Sequence, residues 1–195
     1  LLLKINTSLH TVIALDVPKE ELTRRLLNRA HIEGRSDDNE IVIQERFREY
    51  DNKTFPVIDF YKSRNMFIPI DGTGTETKIF ERVENVIDGV VKESSYNVVL
   101  IGRPGSGKGT QGEIFAKKHN FHYLSTGELL LSEINKGSEI GKNVKSLYSN
   151  GISVPDELII RLVEEEMRKY NEHRGYIFKG FPRTLIQTYI LEGML

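Results

Sequence analysis

Cysteine is absent from this 195-residue chain, so disulfides and thiolate zinc sites are both excluded, and the composition fits the cytoplasm. No apolar run approaches the ~18 residues that a membrane-spanning helix requires. The opening Leu1-Leu2-Leu3 is too short for a secretory signal, and without an initiator Met the sequence reads as a segment or a processed chain. An excess of charge of one sign is missing too: 27 Lys and Arg against 28 Asp and Glu leave a net charge of −1. That balance excludes a generally basic nucleic-acid binder, so any anion site must come from a local gathering of cations. What remains is 38% hydrophobic and 28% charged residues, the make-up of a soluble globular protein, in a chain long enough for one domain with a real core.

The chain is organised around residues 97–111. Asn97-Val98-Val99-Leu100-Ile101 reads as a buried strand, and it breaks into Gly102-Arg103-Pro104-Gly105-Ser106-Gly107-Lys108, which fits G-x-x-x-x-G-K. In such a loop Gly105, Ser106 and Gly107 turn backbone N–H groups onto one anion, and the helix that follows adds its partial positive charge. Lys108 is placed to reach the β- and γ-phosphates of a nucleoside triphosphate. Gly109 stands where Ser or Thr commonly follows the lysine, with Thr110 one place later. Ile114, Phe115 and Phe121 continue the helical pattern.

Before this loop, Thr11 to Val17 reads as a strand ending at Pro18, and Lys19 to Ala30 as a helix that carries Arg25 and Arg29, four apart, on one face. An irregular His31–Ser36 segment leads into Asp37-Asp38-Asn39, a helix start. The two carboxylates can form a metal pair, support the helix N-terminus, or pair with nearby arginines. The next helix runs past Arg46 and Tyr50 until Pro56 breaks it or starts another. Met66–Asp71 is a second strand, entering Gly72-Thr73-Gly74, followed by a helix from about Glu76 to Ile87 and a linker over Gly89–Ser95. After the loop come a strand at Phe121–Gly127, helices across Glu128–Lys136 and Ser138–Ser149, a helix opened by Pro155-Asp156-Glu157, and a last strand at Gly175–Phe178. Five short buried strands alternating with helices predict an α/β fold with a parallel sheet. The histidines have no metal-ligand spacing and are expected at the surface.

Gly102-Arg103-Pro104-Gly105-Ser106-Gly107-Lys108-Gly109-Thr110-Gln111 resembles the adenylate kinases, Gly109 included. So do Ser125-Thr126-Gly127-Glu128-Leu129-Leu130, Gly180-Phe181-Pro182-Arg183-Thr184 with Gln187, and Gly34-Arg35-Ser36-Asp37-Asp38. The order is unusual. Residues 1–88 resemble the family's second half, including a short lid at about 30–36, and residues 96–195 its first half, with acceptor-binding helices at about 125–154. Joined by 89–95, they make one kinase domain, either a circular permutant or a window across a tandem array. The resemblance implies a P-loop NTPase fold, with a five-stranded parallel sheet, flanking helices, the acceptor-binding helical insertion and the short lid.

It also implies the reaction ATP + AMP ⇌ 2 ADP, with Mg²⁺ held mainly by nucleotide phosphates and water, no zinc, no nucleic-acid or membrane partner, and a monomer. On the donor side it places Gly105, Ser106, Gly107, Lys108, Gly109, Thr110, Gly74, Arg25 over the adenine and Arg29 on phosphate. Arg35, Arg46 and Arg183 bridge the two nucleotides, and with Lys108 and Arg29 they form the catalytic set. On the acceptor side it places Thr126 and Gln187 at the adenine of AMP, with Ile152, Ser153, Val154, Gly180, Phe181 and Pro182 lining the pocket. Two residues depart from the family pattern. Leu131 replaces an arginine that binds the AMP phosphate, and Lys179 replaces an aspartate that holds a Mg²⁺-bound water. These departures imply reduced turnover, and they leave two other readings open: a weakened nucleotide-binding module of a larger or tandem protein, or a kinase for another monophosphate.

Overall fold

A computed structural model describes residues 8–33, 38–90, 96–169 and 175–195. The strands are β1 (Thr11–Asp16), β2 (Phe67–Asp71), β3 (Val98–Ile101), β4 (His122–Ser125) and β5 (Tyr176–Lys179). They form one five-stranded sheet in the order β2-β1-β3-β5-β4, parallel at every pairing. The phosphate-loop strand β3 is central, between β1 from the first half of the chain and β5 from the second. A parallel sheet needs a crossover between neighbours, and helices supply it on both faces, which is why β3 is apolar and buried at every position.

The two faces separate by strand alternation. Val12, Ala14, Val99, Ile101 and Phe178 pack with α2 (Glu40–Lys62), α7 (Asp156–Met167) and α8 (Leu185–Met194). Ile13, Leu15, Val98, Leu100 and Ile177 pack with α3 (Glu76–Val90) and α4 (Lys108–His119). A smaller cluster of Val17, Leu22, Leu26, Ile43 and Phe47 joins α1 (Lys19–Glu33) to α2. α5 (Thr126–Lys136) and α6 (Glu139–Ser149) add Leu130 and Val144 to the first face. Asn97, fully buried, ties the two halves together at the strand starts. Its side chain donates to the Ser8 carbonyl at 2.9 Å and accepts from the Tyr176 N–H at 2.9 Å.

Several sequence expectations are corrected. Pro56 neither breaks nor starts a helix: α2 runs through it for 23 residues. The carbonyl its ring leaves unbonded belongs to Asn52, on an exposed turn where water can serve it, while Phe47, Thr54, Val57, Ile58, Phe60 and Tyr61 hold the opposite face. Gly89 and Val90 close α3 instead of opening a linker, and residues 91–95 lie outside the described residues. Thr126 and Gly127 start α5 instead of ending a strand. His31–Glu33 extend α1, and residues 34–36, the rest of the expected lid, lie outside the described residues. His119 and His122 are not surface residues. Their side chains are 20% and 12% exposed and lie 2.8 Å from Glu84 and 3.5 Å from Glu166. Among the described residues no helix is long and apolar enough to cross a membrane.

Candidate active site

At the carboxyl edge of the sheet, β3 turns through Gly102–Gly107 into α4. Gly102 has φ +150°, and a Cβ there would meet the Ser106 Oγ at 2.6 Å and the Leu15 carbonyl at 2.7 Å, so the turn requires glycine. Gly107, at φ 91°, precedes α4 without a side-chain cap, so the first N–H groups of the helix point at the loop. Lys108 folds back over that loop, donating to the carbonyls of Gly102 (2.6 Å) and Arg103 (2.7 Å) and to the Ser106 Oγ (3.2 Å). Burial, and then the charges of Lys179, Arg183, Arg46 and Arg29, hold its pKa well below the usual lysine value. So many cations gathered around one loop mark a place where a polyanion would be stabilised.

Three of those cations come from far along the chain. Arg29 on α1 and Arg46 on α2 share the carboxylate of Asp38, which is fully buried. Arg29 binds it through Nε (2.6 Å) and Nη2 (2.8 Å), and Arg46 through Nη1 (2.8 Å). Of the three readings of the Asp37-Asp38 pair, the arginine partnership is the one seen at Asp38. Asp37 lies outside the described residues, as does Arg35. Arg183, beyond β5, is exposed and donates from Nε to the Gly180 carbonyl at 3.0 Å.

Lys179 is the last residue of β5, level with Leu100 and Ser125, rather than the first residue after the strand. Its Nζ is 3.3 Å from Glu128 and would lie 3.1 Å from a Cβ on Gly109, so the glycine at that position makes room for the ammonium. Burial lowers the Lys179 pKa, with Glu128 opposing the shift. Thr110 is exposed on the same turn. Leu131 lines a surface depression with Glu128, Ser132, Asn135 and Lys136.

The other expected site residues divide. Arg25 is not among the cations around Lys108. It is held by Glu21 (2.8 Å) and by the Gly72 carbonyl (3.2 Å), beside the turn that contains Gly74, φ +105°. Arg103 of the phosphate loop binds Asp51 of α2 at 2.8 and 3.1 Å, with its guanidinium 5.5 Å from the Tyr50 ring centre. Thr126 donates to the Gly180 carbonyl at 3.0 Å. Phe181 is fully buried, followed by Pro182, and Val154 also belongs to the core, whereas Ile152 is exposed. The Ser153 hydroxyl donates to the Glu49 carboxylate. Gln187 is buried, with its amide bonded to Asp156 and to the Arg183 N–H. Asp156, Asp51 and Glu49 carry no motif that singles them out, and only the fold brings them to the site. Among the described residues, no group of three or more His, Cys, Asp or Glu could hold a metal ion.

Residues 100–195 match the family model described as "Adenylate kinase". Over those residues the chain is similar to the adenylate kinases. The adenylate kinase of Baumannia cicadellinicola is 44% identical over 95 residues, 49% of this chain and 45% of the relative. That of Phocaeicola vulgatus is 46% identical over 99 residues, 51% of this chain and 52% of the relative. That of Kosmotoga olearia is 40% identical over 99 residues, 51% of this chain and 46% of the relative. The chain thus spans about half the length of the curated relatives it matches. The adenylate kinase match begins within β3 and takes in Lys108, Lys179, Arg183 and Gln187. Arg25, Arg29, Asp38 and Arg46, with β1 and β2, lie before it.

Proposed function

We propose that this chain is an adenylate kinase, transferring a phosphoryl group from ATP to AMP and back. The observation that carries the reading is the approach of Arg29, Arg46, Arg183 and Lys179 to Lys108 at the uncapped start of α4. Phosphoryl transfer asks little covalent chemistry of a protein. It needs two anionic substrates held in line and the charge on the transferring group balanced. An oxygen of the AMP phosphate attacks the γ-phosphorus, the bond from that phosphorus to the β,γ-bridging oxygen breaks, and two ADP result. In this reading Gly105–Thr110 and Lys108 hold the donor phosphates, while Arg25, beside Gly72 and Gly74, covers the donor adenine. Arg29, Arg35, Arg46 and Arg183 bind the phosphates on both sides of the transfer. Guanidinium groups suit that place because each pairs two phosphate oxygens and stays charged. Thr126 and Gln187 meet the AMP base, with Ile152–Val154 and Gly180–Pro182 around it.

Mg²⁺ enters as part of the substrate, screening the donor phosphate oxygens. The charges that act on Lys108 are those of cations and Gly109 has no hydroxyl, which supports an ion carried by nucleotide and water instead of protein ligands. Residues 1–88 supply the second half of the kinase fold and 96–195 the first, by circular permutation or as a window across tandem domains. Because one chain contributes cations for both nucleotides, we assign the reaction to a monomer, and the cysteine-free sequence supports a cytoplasmic location. A coupled assay of ADP formation with AMP, UMP, CMP and GMP tests the proposal. Turnover with AMP as the preferred acceptor is expected, and no turnover with any of the four would overturn it.

Lys179 should set the rate. Its ammonium lies beside Gly109 at the start of α4, where it would compete with Mg²⁺ for donor phosphate oxygens. Lys179→Asp is expected to raise kcat by about tenfold or more, equivalent to about 1.4 kcal/mol of barrier. Lys179→Ala should give a smaller gain, from relief of repulsion alone. Steady-state kinetics across a Mg²⁺ titration checks both. A wild type that turns over faster than Lys179→Asp at saturating Mg²⁺ would make the lysine a working part of the site instead.

A further inference from the structure

Gln187 is 2% exposed, and its side chain is gripped at both ends. Its Nε2 donates to the Asp156 Oδ1 at 2.8 Å, and its Oε1 accepts from the Arg183 N–H at 2.7 Å. The other oxygen of Asp156 accepts from the Thr184 hydroxyl at 2.7 Å, and the same hydroxyl caps α8 by accepting from the Gln187 N–H at 3.2 Å. Asp156 opens α7, so two helix starts are joined through one carboxylate and the glutamine between them.

An ionised carboxylate only accepts hydrogen bonds, and a backbone N–H only donates. Rotating the Gln187 amide by half a turn would set its oxygen against Asp156 and its NH₂ against the Arg183 N–H, two repulsive contacts in place of two bonds. Asp156 and the Arg183 N–H together therefore decide which way the amide faces. They use one N–H and one lone pair, and leave one of each on a nearly buried side chain. A buried donor and acceptor side by side, with fixed order, suit the edge of a base that presents an acceptor next to a donor. In a 6-amino purine, N1 accepts and the 6-amino group donates. In a 6-oxo purine the order is reversed, N1–H donating and O6 accepting. A freely turning amide could pair with either, but a fixed one pairs with only one.

We infer that Asp156 is a positioning residue that fixes the Gln187 amide and makes the acceptor pocket prefer a 6-amino purine over a 6-oxo purine. The inference rests on the proposed placement of Gln187 at the acceptor base. The test compares kcat/KM for AMP and IMP, with ATP and Mg²⁺ as donor, in the wild type and in Asp156→Asn. Asparagine has nearly the shape of aspartate but can donate as well as accept, so one of the two contacts that fix the Gln187 amide no longer selects its orientation and only the Arg183 N–H still opposes the turn. The AMP-to-IMP ratio is expected to fall by about tenfold or more, with IMP gaining in absolute terms. Asp156→Glu, which still only accepts, should keep most of the ratio. If melting shows that Asp156→Asn folds poorly, the same ratio is measured in Asp156→Ser, whose hydroxyl serves either role. A ratio that stays constant while both substrates lose together would make Asp156 structural and overturn the inference alone. A wild type that phosphorylates neither AMP nor any other monophosphate would overturn the functional proposal, and the inference with it.

Discussion

Lys108→Met is expected to lower kcat by about a thousandfold or more, roughly 4 kcal/mol of barrier, while leaving the free protein folded. The ammonium already points into the phosphate loop, held by the Gly102 and Arg103 carbonyls and the Ser106 Oγ. These are contacts that a triphosphate can replace with stronger, charge-assisted ones. Methionine keeps the unbranched stem and removes only the charge and its donors. In the free protein two effects oppose each other. Three hydrogen bonds disappear, but a partly buried cation that repels Lys179, Arg183, Arg46 and Arg29 disappears too. The melting temperature without nucleotide should therefore move little. The upward shift that ATP gives the wild type should largely vanish, because stabilisation by a ligand follows its affinity. Steady-state kinetics and melting with and without ATP check both arms. A variant that keeps its rate would show that the helix N-terminus and the arginines suffice and that Lys108 is dispensable.

The phosphate loop was legible because its signals are local. A β-branched run, a glycine turn at a set spacing and a helical pattern after it placed β3 and α4 within about a residue of where they lie. The parallel sheet followed from alternation of element types, and the strand order places β3 at its centre. Legibility failed where one side chain's fate depends on a distant one. Pro56 looked like a helix boundary because the apolar face that overrides it, Thr54 to Tyr61, gains its hold only when packed on the sheet. Lys179 was placed one residue too late, since the end of β5 is set by pairing with Leu100 and Ser125, not by its own composition. Arg103 finds its partner at Asp51, and Gln187 finds its partner at Asp156, across gaps of 52 and 31 residues. No spacing rule spans such distances. Asp37-Asp38 was ambiguous for another reason: adjacent carboxylates suit a metal and a pair of arginines equally well until the arginines are seen.

That ambiguity leads to the largest effect expected on stability. Asp38 is a fully buried carboxylate facing two arginines drawn from different helices, so two of the cations that act on Lys108 are kept in place by one carboxylate. Asp38→Ala removes the anion and leaves Arg29 and Arg46 close together. Their side chains are 31% and 22% exposed, so water relieves part of the repulsion but not all of it. Breaking a buried pair from one side typically costs several kcal/mol. With this partial solvation the loss should be about 2–4 kcal/mol, or roughly 5–15 °C in melting temperature for a protein of this size. Asp38→Asn should cost less, because the amide oxygen still accepts from one arginine and the shape of the site is kept. Nucleotide adds anionic charge at the same cations, so saturating ATP and AMP should recover part of the loss in Asp38→Ala, more than they stabilise the wild type. Urea unfolding of the three proteins, with and without nucleotides, measures each of these differences. An Asp38→Ala variant as stable as the wild type would mean that the two arginines find solvent as readily as they find the carboxylate, and that Asp38 does not hold the cation cluster together.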